Sequence, residues 1–125
     1  MTSTWEKFQG ATLTLVGSRP IKDRLLDAYR NHLVHVREEE LPKELRMDFR
    51  AVAHALTREA PVIRGEDALR ATVRKLSVAE ADNVALEVVK LFSAVARGAG
   101  VQGGGSRAPA TVIPTPLLAL HAAEA

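Results

Sequence analysis

The sequence predicts an all-α fold: a bundle of four or five helices followed by a flexible C-terminal tail. Three observations carry that prediction. Apolar residues recur at steps of three and four along most of the chain, as one face of a helix requires, and not at every second position. Hydrophobic residues make up 46% of the sequence, but twenty of them are Ala and aromatics are only 4%, a composition that favours helix over sheet. At residue 98 the composition turns to Gly, Pro, Ser, Thr and Ala, which divides the 125 residues into a helical domain, 1–97, and a flexible linker with a short apolar tail, 98–125.

The first helix is predicted over Thr4 to Val16. Ser3 and Glu6 have the reciprocal spacing of a capping box, and Trp5, Phe8, Thr12, Leu15 and Val16 mark the buried side. Gly17 is expected to end it with a positive backbone angle, and Ser18 and Pro20 to open the next helix after a short bend, so that helices one and two pack antiparallel. The second helix is the organising element. Ile21, Leu25, Ala28, Tyr29, His32, Leu33 and Val36 form one stripe over about four turns, with Leu26 and Val34 widening it.

Glu38, Glu39 and Glu40 interrupt the period, and Leu41-Pro42 restarts it as helix three, striped by Leu45, Phe49, Val52, Ala53 and Leu56 and closed by Ala60-Pro61. After a loop, Glu66 or Asp67 opens a short fourth helix through Leu69, Val73 and Leu76, a segment whose alternation would also fit an edge strand. Ser77 and Glu80 repeat the capping-box spacing and start a fifth helix, with Ala81, Val84, Ala85, Val88, Leu91, Phe92 and Val95 on its buried face. Helix five is expected to be the main partner of helix two and to stop at Gly98 and Gly100.

Charge narrows the function little. Lys plus Arg is 17 and Asp plus Glu 15, and the balance is the same in both halves, so there is no basic arm. The absence of cysteine excludes disulfides, thiolate nucleophiles and cysteine metal sites together. With no basic stretch leading into a signal-length apolar run and no 18 consecutive apolar residues, the expectation is a cytoplasmic protein that does not meet a membrane. No Walker loop or GxGxxG motif exists to hold a cofactor, and none is expected.

Three groups of residues could carry chemistry. Arg30-Asn31-His32-Leu33-Val34-His35 resembles the signature of HEPN ribonucleases, in which an Arg followed by a polar residue precedes a His by four to six positions. The resemblance implies catalytic roles for Arg30, Asn31 and His35 at a dimer interface, with His35 as acid or base for attack by a 2′-hydroxyl and Arg30 stabilising phosphate charge. The residues themselves also read as scaffold, with His32 half-buried in the stripe and Arg30 and His35 facing water. His32 and His35, with Asp23 or Asp27, do not make a recognised metal motif, and no metal is expected.

Arg64, Arg70, Arg74 and Lys75 gather around the fourth helix. Arg70 and Arg74 are one turn apart, a spacing able to meet nucleic-acid phosphates. In the tail, Ala110 to Ile113, with Val112 and Ile113 as partner-binding residues, could add as an edge strand, and Leu117, Leu118 and Leu120 could fill a partner's groove as a short helix. The segments WEKF, IKDRLLDAY, LPKELRMDF and ATVRKLS resemble an uncharacterised bacterial family of small helical proteins, a resemblance that brings no activity with it. The leading expectation is a non-catalytic protein-interaction or regulatory module with another protein or a second copy as partner. As a homodimer it would bury spare apolar surface of helices two and five. The alternatives are a metal-independent ribonuclease and a nucleic-acid-binding regulator.

Overall fold

The computed structural model describes residues 3–104, with side chains through residue 98. Five α-helices follow one another: α1 (Thr4–Leu15), α2 (Ile21–Asn31), α3 (Lys43–Thr57), α4 (Ala68–Lys75) and α5 (Val78–Gly104). Two 3-10 turns, Leu33–His35 and Glu38–Glu40, lie between α2 and α3, and there is no strand among the described residues. Met1–Val95 form one compact unit; of the second, Ala96–Ala125, the described part is the end of α5. Val112, Ile113, Leu117, Leu118 and Leu120 lie outside the described residues.

Local chemistry starts the helices. Ser3 Oγ accepts from the Glu6 N–H at 3.1 Å while the Glu6 carboxylate accepts from the Ser3 N–H at 2.9 Å, and Ser77 and Glu80 repeat this at 3.0 and 2.8 Å. Asp67 caps α4 by accepting from the Arg70 N–H at 2.9 Å, so this segment is helix and not an edge strand. Proline, not Ser18, occupies the N-cap position of α2, as it does that of α3.

Packing then orders them. Arg24 donates to the Leu15 carbonyl at 2.6 Å near one end of the α1–α2 pair, and the His32 ring lies against Gly10 nearer the other, so the two helices run antiparallel. The same logic makes α2 and α4 antiparallel: Lys22 reaches the Arg74 carbonyl at 3.0 Å and Arg30 reaches Asp67 at 2.8 Å. The core between them holds Phe8, Leu25, Ala28, Leu33, Leu41, Phe49, Leu56 and Val88, with the Phe8 and Phe49 rings edge to face at 5.9 Å.

Four expectations change. The second helix ends at Asn31, where His32 leaves helical geometry at φ −130° and ψ −60°, and the chain continues as 3-10 turns. Leu33 and Val36 are still buried, because a three-residue step aligns side chains in a 3-10 turn as it does on a helix. Gly17 does not take a positive φ; among the described glycines only Gly65 does, and α1 closes instead with Val16 and Gly17 N–H groups on Leu13 and Thr14 carbonyls and Arg24 on Leu15. Val16, expected inside, is 71% exposed.

Finally, α5 runs through Gly98 and Gly100 to Gly104. Glycine weakens a helix by about 1 kcal/mol but, unlike proline, leaves its hydrogen bonds intact. On α5, Phe92 meets Trp5 of α1 and Asn83, Val84 and Glu87 border a groove with α3, while α2 bonds to α1 through Arg24 and to α4 through Lys22.

Candidate functional site

The Arg30–His35 segment is divided by the break after α2. Arg30, in the last turn of the helix, gives Nη2 to Asp67 Oδ2 at 2.8 Å, so its charge is directed toward the start of α4. His35 lies in the 3-10 turn, exposed, and its carbonyl accepts from Lys7 Nζ at 2.9 Å. Asn31 is exposed at the helix end. The two catalytic candidates are thus tied to different elements, and Arg30 would have to leave Asp67 to meet a phosphate.

The basic residues near α4 are largely matched. Arg74 makes a two-pronged pair with Glu66 at 2.9 and 3.1 Å, and Lys75 lies 3.3 Å from Glu59. The hydrogen bond from Arg74 holds the Glu66 carboxyl below its usual range and raises the guanidinium in return. Arg64 and Arg70 are exposed and make no hydrogen bond or ion pair through their side chains with any described residue. Among the described residues, no three His, Asp or Glu side chains converge as a metal ion would need.

No family model matches the chain, and no curated protein or solved structure matches it either.

What the structure does show is two apolar flanks, one on α1 and one on α5, that meet at one pair of rings. On α1, Trp5, Gln9, Thr12, Leu13 and Val16 recur at helical spacing along one flank, with Leu13 and Val16 exposed. On α5, Val78, Ala85, Leu86, Val89 and Phe92 do the same, with Val78, Leu86 and Val89 exposed. The Trp5 and Phe92 rings, 6.1 Å apart and tilted by 46°, join the two flanks. Glu6, three residues before Gln9, and Asp82 are the charged side chains along the two stripes, in a chain where 26% of residues are charged.

Half of this face is legible in the sequence: Trp5 and Phe92, expected inside, are partly buried against the core, Val16, expected inside, is exposed, and Leu13, Leu86 and Val89 fall one position outside the stripes. The available signal was the width of the apolar arc, which on both helices exceeds what one core contact covers. Of the apolar face expected for the second helix, Val34 in the 3-10 turn is 50% exposed, and none of the large exposed hydrophobic side chains lies within Ile21–Asn31.

Proposed function

We propose that this chain is a non-catalytic protein-interaction module that pairs with a second copy of itself through the apolar face of α1 and α5. The observation that carries the reading is the exposure of Leu13, Val16, Leu86 and Val89 on two flanks that carry one charged side chain each, Glu6 and Asp82. Depletion of charge around aromatic and aliphatic side chains is what separates the centre of a protein interface from ordinary surface. A single exposed leucine would mean nothing.

A second copy suits this face because an isologous contact needs only a patch that complements itself, and an apolar patch does so without matching charges. Burial contributes about 25 cal/mol per Å² of apolar area, so four such side chains on each of two copies supply a useful part of a weak dimer's affinity. Sedimentation equilibrium at tens of micromolar reads the outcome. The wild-type chain is expected at twice the chain mass, and Leu86→Glu or Leu13→Glu, which would strand a carboxylate in the interface, at the single-chain mass with unchanged far-UV circular dichroism. A wild-type chain that sediments as a monomer removes the reading.

A further inference from the structure

Between α3 and α4 the chain displays two adjacent branched side chains that the fold does not use: Val62 is 74% exposed and Ile63 is 53% exposed. The loop that carries them is stiff. Ile63 accepts from the Glu66 N–H at 3.0 Å and Gly65 sits at φ 84°, the arrangement of a turn that requires glycine at its third position. The Glu66 carboxylate, its side chain only 6% exposed, is gripped by both forks of Arg74, and at the other shoulder the Glu59 N–H donates to Thr72 Oγ1 at 2.9 Å. A tip fastened on both sides has already lost the freedom that docking would otherwise remove. At its end, Arg64 makes no hydrogen bond or ion pair through its side chain with any described residue.

A matching receptor lies elsewhere on the same unit. α3 and α5 leave an open groove of about 260 Å³ lined by the apolar Ala51, Val52, Ala55 and Val84 and the polar Asp48, Asn83 and Glu87. Its apolar lining is made of small side chains, which leaves room for larger ones. Its polar lining is acidic: Asp48 makes no side-chain hydrogen bond or ion pair with any described residue, and Glu87 has only a 3.5 Å contact with Lys90.

We propose that the Val62–Arg64 knob of one copy seats in the α3–α5 groove of another, with the two branched side chains on the alanines and Arg64 against Asp48 and Glu87. Size and charge both match, and both halves are on every copy. Because knob and groove are different surfaces, the contact is heterologous: it closes into a ring or reciprocal pair, or continues as a chain of copies. It shares no residue with the α1–α5 face and does not rest on it.

Sedimentation of the full chain in a Leu86→Glu background tests the contact with the other face disabled. That chain, at the single-chain mass at tens of micromolar, is expected to self-associate weakly as its concentration approaches about 1 mM, and Arg64→Glu, Glu87→Arg or Ile63→Ser added to it should each weaken association about tenfold or more, with unchanged circular dichroism. The deciding arm is a mixture. Arg64→Glu alone and Glu87→Arg alone each oppose like charges, but an equimolar mixture pairs the R64E knob with the E87R groove and should recover the association of the background chain. A Leu86→Glu chain that stays monomeric at about 1 mM, second substitutions without effect, or a mixture no tighter than its components would each overturn the proposal.

Discussion

Gly10 stands in the middle of α1, where alanine is ordinarily better by about 1 kcal/mol, and the structure reverses that sign. A Cβ built on Gly10 falls 2.5 Å from His32 Nδ1, 2.6 Å from Cε1 and 3.2 Å from Cγ. Carbon contacts settle at about 3.5–4.0 Å, so the ring would have to retreat by about 1 Å. It has little freedom to do so, because His32 follows directly on α2, its N–H bonded to the Ala28 carbonyl at 3.2 Å and its backbone fixed by the burial of Leu33 behind it. Overpacking of this kind costs about 1–3 kcal/mol, and the helix-propensity gain offsets about 1, leaving a net loss centred near 1 kcal/mol. For a unit of this size that lowers Tm by roughly 4–8 °C. Urea and thermal denaturation of Gly10→Ala, His32→Ala and the double variant read the effect as a cycle. With the ring gone, Gly10→Ala should become stabilising, which gives a coupling of about 1–3 kcal/mol between the two positions. If Gly10→Ala raises Tm in the wild-type background, or has the same effect in both, the ring does not lie where the argument needs it.

Two further outcomes follow from named contacts. Thr72, fully buried, donates to the Ala68 carbonyl at 2.8 Å and accepts from the Glu59 N–H at 2.9 Å; Thr72→Val keeps the shape, strands that N–H, and should lower the urea-derived stability by about 1–3 kcal/mol, with Thr72→Ser recovering most of it and an unchanged Thr72→Val contradicting the account. Acid should unfold the protein through its glutamates. Glu38 is held below the ordinary value near 4.5 by its hydrogen bond from Arg50, Glu40 by Thr4, Glu66 by Arg74 and Glu80 by the Ser77 backbone. Lowered folded-state values mean that the unfolded chain takes up protons first, so this stability is present above about pH 4.5 and is lost as pH falls through the folded values. A urea midpoint that stays level down to about pH 3 would contradict it.

Whatever depends on neighbours in sequence was legible in the sequence. Both capping boxes are three-residue statements about serine hydroxyls and orphan N–H groups, and they formed where they were read. The choice of helix for Ala68–Lys75 held because Asp67 caps it and because Ala71, Thr72 and Val73 are all buried, a crowding that one face of an edge strand would not need. The break at His32 was hidden for a physical reason. Leu33 and Val36 keep the same spacing on either kind of helix, and what separates the two is a tertiary event, the seating of the His32 ring on Gly10. Partners were hidden in the same way: Arg70, Arg74 and Lys75 share a helix and look alike as a basic run, yet Arg74 and Lys75 answer to Glu66 and Glu59 and Arg70 to neither by a direct bond. The α3–α5 groove exists only once two helices distant in sequence are packed, and no local pattern announces it.

That the proposed pairing surface lies on α1 and not on α2 follows from which helices have neighbours. α2 meets α1 along one side and α4 along another, while Leu33 and Val36 beyond its end enter the core, so Ile21, Leu25, Leu26 and Tyr29 are all at least partly covered. The helix with the clearest apolar stripe therefore has the least left to offer a partner. α1 and α5 carry wider arcs than the core can take. Phe8, Ala11 and Leu15 fill the inner side of α1, and Ala81, Val88 and Leu91 that of α5, so Leu13, Val16, Leu86 and Val89 remain outside. Evolution of a soluble surface ordinarily places Lys or Glu at such positions, as it does at Lys90 and Glu87 one step further round α5. That this flank of α5 carries Asp82 alone, while Glu80, Glu87 and Lys90 lie on the rest of the same stretch, is what the proposed pairing would explain.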